Sequence, residues 1–286
     1  MEKLTSPTTI NRLLRRYDLH FNKRFGQNFL IDSNVVQKIV EAGNVTKADT
    51  VLEVGPGIGT MTQALCESAG RVITVEIDKK LIPVLNETLA EYDNVTVIND
   101  DILNVIRNSG FGIQDGGRMK IVANLPYYIT TPIIMSFLES DMEFDQMTFL
   151  VQKEVGERIC AEPGCKAYGS LTIACAYYAE AEIAFEVPAG VFMPKPKVDS
   201  VVITLKKRQS PAFMPKNKAA FFRIVKAAFL NRRKTLLNGL SNNTPYSKDE
   251  ILAALSAVGI DPGVRAEKLT GDNFVRLANA IEFGIV

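Results

Sequence analysis

Thr50-Val51-Leu52-Glu53-Val54-Gly55-Pro56-Gly57-Ile58-Gly59-Thr60 is the stretch on which the fold turns. Its first five residues read as a buried parallel strand, and the glycine-rich residues after them open a helix near Met61. Glycines at a strand-to-helix turn let the backbone approach a ligand closely and aim helix N–H groups at it. Outward from this turn, Arg71 to Ile77 reads as a second strand, ending around Glu76 and Asp78, and a helix follows from about Lys80 to Ala90. Val95 to Ile98 is a third strand, ending in Asn99-Asp100-Asp101. Met119 to Ala123 is a fourth, and it runs into Asn124-Leu125-Pro126-Tyr127-Tyr128. Glu76 stands 21 residues beyond Gly55, the spacing at which an acid at the tip of strand two meets ribose hydroxyls. Every marked residue falls at the C-terminal end of a parallel strand, the edge where an open α/β sheet holds its ligand. One pocket is expected there.

The glycine pattern is GxGxG rather than the GxGxxG of a dinucleotide site, and Glu53 lies close to where a pyrophosphate would rest. Asp101, or its neighbour Asp100, suits an adenine amino group. S-adenosylmethionine, cationic at sulfur and free of phosphates, therefore fits better than NAD. In the fourth-strand stretch, the Asn124 Oδ1 and the Pro126 carbonyl are two acceptors that suit a planar –NH2 group, and Tyr127 or Tyr128 can stack on the ring that carries it. The plainer alternative is a strand-to-helix turn that Pro126 stops and the tyrosines cap. His20 is the only histidine, so a histidine triad has nothing to draw on. Cys66, Cys160, Cys165 and Cys175 lack zinc-type pairing, and no metal site is expected.

The 286 residues allow one large and one small domain, and 47% apolar with 23% charged residues is ordinary for a globular protein. With no apolar run of membrane-spanning length and no apolar signal core, the expected location is the cytoplasm. The net charge of +1 hides segregation. Residues 195–240 hold twelve Lys/Arg against Asp199 alone, and residues 1–30 hold six against Glu2 and Asp18. Blocks of this kind are the footprint of a polyanion binder, with a solvated basic surface as the alternative.

Along the chain, Ile10, Leu13, Leu14 and Tyr17 mark an amphipathic helix within residues 5–20. A basic, aromatic loop, Lys23 to Leu30, leads to a helix from about Asn34 to Ala42, with Asp32 or Ser33 as its N-cap. A helix from Thr131 to Leu138 and a strand from Met147 to Val151 continue the sheet, while residues 107–118 read as a surface loop. Ala167 to Tyr178 reads as a buried helix, and Ile183 to Val187 with Val198 to Leu205 as an antiparallel pair. Composition changes at Lys206 to Pro211, so the expected division is 1–207 and 208–286. Helical periods at 219–230, 248–258 and 273–283 make the second part a small α-helical domain.

The set Phe25-Gly-Gln-Asn-Phe-Leu30, Glu53 to Thr60, Glu76, Asp101 and Asn124 to Tyr128 closely resembles the ribosomal RNA adenine N6,N6-dimethyltransferases. Val187-Pro188, Phe192 to Ser200 and Phe229 to Thr235 extend the resemblance over nearly the whole chain. Within that family it is most similar to the bacterial small-subunit branch, whose loss gives kasugamycin resistance; the erythromycin-resistance enzymes acting on 23S rRNA are the near relatives. The resemblance implies an α/β, Rossmann-like class I S-adenosylmethionine-dependent methyltransferase with a small C-terminal helical domain that helps bind RNA. It implies S-adenosylmethionine as cofactor and 16S rRNA or a small-subunit precursor as partner, while the basic faces suggest a monomer meeting RNA. Asn28 and Leu30 would hold the methionine end, Gly55 the loop, Glu76 the ribose and Asp101 the adenine, with Asn124 facing both cofactor and base. Asn124 and Pro126 would accept from the target amine, and Tyr127 and Phe192 would sandwich its ring, unless Phe192 is simply a core aromatic. Lys195, Lys197, Arg232, Arg233 and Lys234 would contact phosphate. The rival readings are a 23S rRNA dimethyltransferase, a non-catalytic assembly factor on the same fold and an NAD-dependent oxidoreductase.

Overall fold

The structure, a computed structural model, describes residues 3–19, 27–108 and 118–283. His20, the Lys23-Arg24-Phe25-Gly26 part of the aromatic loop and residues 109–117 of the expected surface loop lie outside the described residues. In chain order the elements are α1 (Pro7–Arg16), β1 (Phe29–Leu30), α2 (Ser33–Ala42), β2 (Asp49–Val54), α3 (Thr60–Ser68), β3 (Arg71–Glu76), α4 (Ile82–Thr88), β4 (Val95–Asn99), α5 (Ile102–Arg107) and β5 (Arg118–Asn124). They continue with α6 (Thr130–Glu139), β6 (Gln146–Gln152), α7 (Lys153–Ile159), α8 (Ser170–Tyr178), β7 (Ala179–Val187), β8 (Phe192–Met193) and β9 (Ser200–Lys207). The last four are α9 (Lys218–Leu230), α10 (Leu236–Asn243), α11 (Lys248–Ala257) and α12 (Gly271–Phe283).

The chain forms two compact units. The first holds Met1–Gly156 and Glu180–Lys207, the second Glu157–Ala179 and Arg208–Val286. A single cut at 207/208 therefore leaves out one exchange: residues 157–179 belong by contact to the second unit. The reason lies in α8, whose Ile173 and Tyr177 sit in one buried cluster with Phe221 and Ile224 of α9.

In the first unit a seven-stranded sheet runs in the order β4-β3-β2-β5-β6-β9-β7. The pairs β2–β3, β3–β4, β2–β5 and β5–β6 are parallel, and β9 joins β6 antiparallel. The order reverses between β2 and β5, the position at which a doubly wound sheet opens a crevice for its ligand. Val51, Leu52, Ile121 and Val122 are fully buried, as strands covered on both faces must be. Local chemistry sets the helix starts. Asp32 caps α2, accepting from the Asn34 and Val35 backbone N–H groups at 2.8 and 3.3 Å. Pro7 and Pro83 sit at the first turns of α1 and α4, where a missing N–H is harmless.

α1 buries Ile10, Leu13 and Leu14 in a cluster with Phe29, Ile58 and Val84. Phe29 and Ile58 belong to the loops that line the ligand edge, so α1 braces them from behind. In the second unit α8 to α12 close around Phe221, Ile224, Leu240, Leu255, Phe274 and Leu277. α10 did not show in the sequence because Leu-Leu-Asn-Gly-Leu-Ser-Asn-Asn is poor in helix formers. Gly239 in it packs against Ala228 of α9, where a built Cβ would be in ordinary contact with the Ala228 carbonyl oxygen at 3.5 Å.

Candidate active site

The C-terminal ends of β2, β3, β4 and β5 surround one pocket, and Asn28, Leu30, Gly55, Glu76, Asp101 and Asn124 all line it. The turn after β2 is built on left-handed glycines, with φ of +67° at Gly55, +61° at Gly57 and +92° at Gly59. A Cβ on Gly57 would stand 2.8 Å from the Phe29 ring, so that position needs glycine for space as well as conformation. At Gly55 no heavy atom lies within 4 Å of a built Cβ, and the backbone there faces open room. The Thr88 hydroxyl donates to the Ile58 carbonyl at 2.9 Å and pins the turn from outside.

Four carboxylates line the pocket, Glu53, Glu76, Asp100 and Asp101, and no lysine, arginine or histidine does among the described residues. Glu53 is fully buried; its Oε2 accepts from the Thr62 hydroxyl at 2.6 Å, and the Thr74 hydroxyl also favours its ionised form. Burial pushes its carboxyl up to about 7. Glu76 is likewise pushed up to about 7 by burial, although the Asp78 and Gly57 backbone N–H groups donate to it at 2.8 and 3.3 Å. A cradle whose charged groups, among the described residues, are all acids suits a positively charged ligand better than a pyrophosphate. S-adenosylmethionine fits these residues; NAD does not.

Asp101 is also the N-cap of α5, accepting from the Leu103 N–H at 2.9 Å, so the helix-capping alternative for this acid, discounted for its place on the ligand edge, is realised alongside its place in the pocket. Asp100 accepts from the Asp101 N–H at 2.6 Å. Both acids line the pocket, each with one oxygen engaged in the turn.

Asn124 ends β5. Its Nδ2 donates to the Asn28 carbonyl at 3.0 Å, which fixes the amide plane and leaves Oδ1 as the acceptor. Pro126 departs from the expected role. Its carbonyl already accepts from the Ile129 N–H at 3.2 Å and the Thr130 hydroxyl at 3.0 Å, so both lone pairs serve the start of α6. Among the described residues no donor reaches the Leu125 carbonyl, one residue earlier in the same lining. The half-buried Tyr127 bonds through its hydroxyl to Ser200 Oγ at 2.9 Å, and Tyr128 is 57% exposed at the rim.

Phe192 is corrected outright. It is 3% exposed, packs in a core cluster with Leu30, Val36 and Val187, and is not among the lining residues. Its backbone pairs with Leu30 in the short β1–β8 ribbon, so its link to the pocket runs through Leu30. Lys195 and Lys197 are exposed in the first unit, as are Arg232, Arg233 and Lys234 in the second. Arg232 is partly spoken for, since its guanidinium donates to the Lys166 and Tyr168 carbonyls. Among the described residues no group of three or more His, Cys, Asp or Glu could hold a metal, and no helix is long and apolar enough to cross a membrane.

A doubly wound sheet with an added antiparallel strand, a GxGxG turn and a pocket whose charged lining groups, among the described residues, are all acids defines an S-adenosylmethionine-dependent methyltransferase. The family model for ribosomal RNA adenine dimethylase matches residues 18–282, and the chain belongs to that family. It is 48% identical over 286 residues, 99% of each chain, to Ribosomal RNA small subunit methyltransferase A of Lachnoclostridium phytofermentans. It is 46% identical over 288 residues, 98% of this chain and 97% of the relative, to the protein of that description in Enterococcus faecalis. Among solved structures it is similar to a dimethyladenosine transferase from Plasmodium falciparum, with a TM-score of 0.70 and 25% identity, over 87% of this chain and 95% of that one. It is also similar to the 23S rRNA methyltransferase ErmE, with a TM-score of 0.66 and 26% identity, over 89% and 99%. The protein is an rRNA adenine dimethyltransferase that uses S-adenosylmethionine.

Proposed function

We propose that this enzyme dimethylates the N6 amines of two adjacent adenines in the loop of the 3′-terminal hairpin of 16S rRNA, as a cytoplasmic monomer acting on small-subunit precursors. The observation that carries the chemistry is the fixed Asn124 amide opening on a pocket whose charged lining groups, among the described residues, are all acids. Identity of 46–48% over nearly full length to relatives described as small-subunit methyltransferases favours that subunit over the 23S substrate of ErmE.

An exocyclic adenine amine is a poor nucleophile because its lone pair is delocalised into the ring. Accepting its N–H hydrogens at Asn124 Oδ1 and at the unengaged Leu125 carbonyl favours a pyramidal nitrogen and stabilises the positive charge that grows on it. Pro126, the next residue, fixes the direction in which the chain leaves the two acceptors. S-adenosylmethionine supplies, when bound, an electrophilic methyl group on a sulfonium whose neutral thioether leaves readily. The amine proton departs from an already acidic cation to solvent, so no histidine base is needed. Tyr127 stacks on the target ring after the adenine has left its loop, which costs least in single-stranded RNA. Glu76 takes the ribose, Asp101 or Asp100 the adenine of the cofactor, and Asn28, Leu30 and Gly55 the methionine end. Lys195, Lys197, Arg233 and Lys234 contact phosphate and position the RNA without reading its sequence.

Unmethylated small subunits and large-subunit rRNA, each incubated with enzyme and labelled S-adenosylmethionine, test this reading. Nucleoside mass spectrometry should find N6,N6-dimethyladenosine in the small-subunit sample only. Label confined to large-subunit rRNA would overturn the substrate assignment, and cofactor binding without any label would leave an assembly factor.

A further inference from the structure

Tyr127 and Ser200 are 73 residues apart, yet Tyr127 Oη and Ser200 Oγ lie at 2.9 Å. Ser200 is completely buried, at the first position of β9, paired with Gln152 of β6. The residue before it is tied down twice. The Lys153 N–H donates to the Asp199 carbonyl at 3.0 Å, and the Ala189 N–H donates to the Asp199 carboxylate at 2.8 Å. A serine held this firmly has a hydroxyl with little freedom to look elsewhere. Burial pushes the Tyr127 phenol up, with the Ser200 hydrogen bond opposing it, so the ring stays neutral at physiological pH.

From this geometry we infer that Ser200 is a positioning residue for methyl transfer: it anchors the Tyr127 hydroxyl so that the ring is already set as a platform when the target adenine arrives. The inference rests on the stacking role proposed for Tyr127. The segment that presents the base is then fastened at three separate points. Asn124 is held by the Asn28 carbonyl, Pro126 by Thr130 and Ile129, and Tyr127 by Ser200. The third anchor alone comes from the antiparallel strand β9, so that strand has a function beyond extending the sheet. A platform free to swing about χ1 and χ2 would spend part of its time away from the stacked geometry. That loss falls on the rate at saturating RNA more than on RNA binding.

Four variants separate the possibilities: Tyr127→Phe, Ser200→Ala, the double variant, and Tyr127→Ala. Each is assayed for kcat and KM with unmethylated small subunits, and for S-adenosylmethionine affinity by calorimetry. Tyr127→Phe and Ser200→Ala should each lower kcat about fivefold, the scale of one neutral hydrogen bond. The double variant should lose no more than either single change, and cofactor affinity should stay within about twofold. Losses that multiply in the double variant, or an unchanged kcat in Ser200→Ala beside a lowered Tm, would reduce Ser200 to a fold-stabilising residue and overturn the inference. Should Ser200→Ala fail to fold, Tyr127→Phe decides alone, and wild-type kcat there overturns the anchor. Tyr127→Ala tests the underlying reading separately: wild-type turnover would remove the stacking role itself, whereas collapse of turnover in Tyr127→Ala with normal Tyr127→Phe removes only the anchor.

Discussion

The two ends of the same parallel strands treat buried polar groups in opposite ways. At the N-terminal end, Asp49 of β2 accepts from the Thr46 N–H and hydroxyl at 2.7 Å each and pairs with Lys120 of β5 at 3.0 Å. Burial pushes the Asp49 carboxyl up, but the Thr46 and Lys120 interactions outweigh it and hold the group below the usual carboxylate range. Beside it Gln146 of β6 donates to the Ala42 carbonyl and the Thr148 hydroxyl. At the C-terminal end, Glu53, four residues further along β2, and Glu76, at the end of β3, are buried, and among the described residues no lysine, arginine or histidine lines the pocket beside them. A buried acid paired with a cation is structure, whereas buried acids on a pocket wall without a counter-charge are a place prepared for a ligand.

The widest gap between the two ends should appear on replacing Asn124. Asn124→Ala removes an acceptor aimed at charge that develops only in the transition state, and kcat should fall about 10²- to 10³-fold. Equilibrium dialysis should find cofactor affinity within about threefold of wild type. Unchanged turnover would break the contrast at its functional end. At the other end of β5, Lys120→Met strands the buried Asp49 without its cation. Stability in urea should drop by about 3 kcal/mol, while kcat per folded molecule stays the same. A loss of turnover there would mean the two ends are not independent.

The contrast sharpens with pH. Glu53 and Glu76 have folded values near 7, above the 4.5 of an ordinary glutamate. Between about pH 4.5 and 7 the native state holds protons that the unfolded chain has released, so these two groups make stability fall as pH rises through that window. Asp49 has the opposite sign, and its stabilisation is lost as pH drops through its folded value, which lies below the 3.8 of an ordinary aspartate. Glu53→Gln should flatten the slope between pH 4.5 and 7, a relief on the order of 2 kcal/mol at pH 8, read by urea unfolding. A cationic cofactor favours the ionised acids, so its binding should release protons near pH 7 and tighten from pH 6 to 8. Calorimetry in buffers of different ionisation enthalpy reads that release directly, and proton uptake would overturn the sign.

How much of this was legible in the sequence follows the range of the interaction. The glycine turn, Glu76, the acids after β4 and the Asp32 cap are local patterns in which residue type and spacing carry the physics, and they sit where they were expected. What escaped depends on contacts between distant segments. The occupation of the Pro126 carbonyl by Thr130 needed the geometry of α6, and the partnership of Tyr127 with Ser200 needed the placement of β9. Phe192 reads as a base platform, with a core aromatic as the alternative, until its burial is known. Residues 157–179 carry an apolar helix that could pack on either unit, and only the cluster around Phe221 shows which.

The smallest effect is expected at Glu87, where a polar cluster is satisfied but exposed. Its carboxylate accepts from Arg16 and Tyr17 at 2.5 Å each and so ties the end of α1 to α4. The Arg16 and Glu87 side chains are 55% and 38% exposed, which leaves the pair screened by solvent and worth well under 1 kcal/mol. What holds α1 against Phe29 and Ile58 is the burial of Ile10, Leu13 and Leu14. Glu87→Gln should therefore shift cofactor affinity by less than about threefold, while Leu13→Ala, which empties part of that cluster, should weaken it more and lower stability by about 2–4 kcal/mol. A Glu87→Gln loss exceeding that of Leu13→Ala would mean that the surface latch, not the apolar face, keeps the cofactor loops braced.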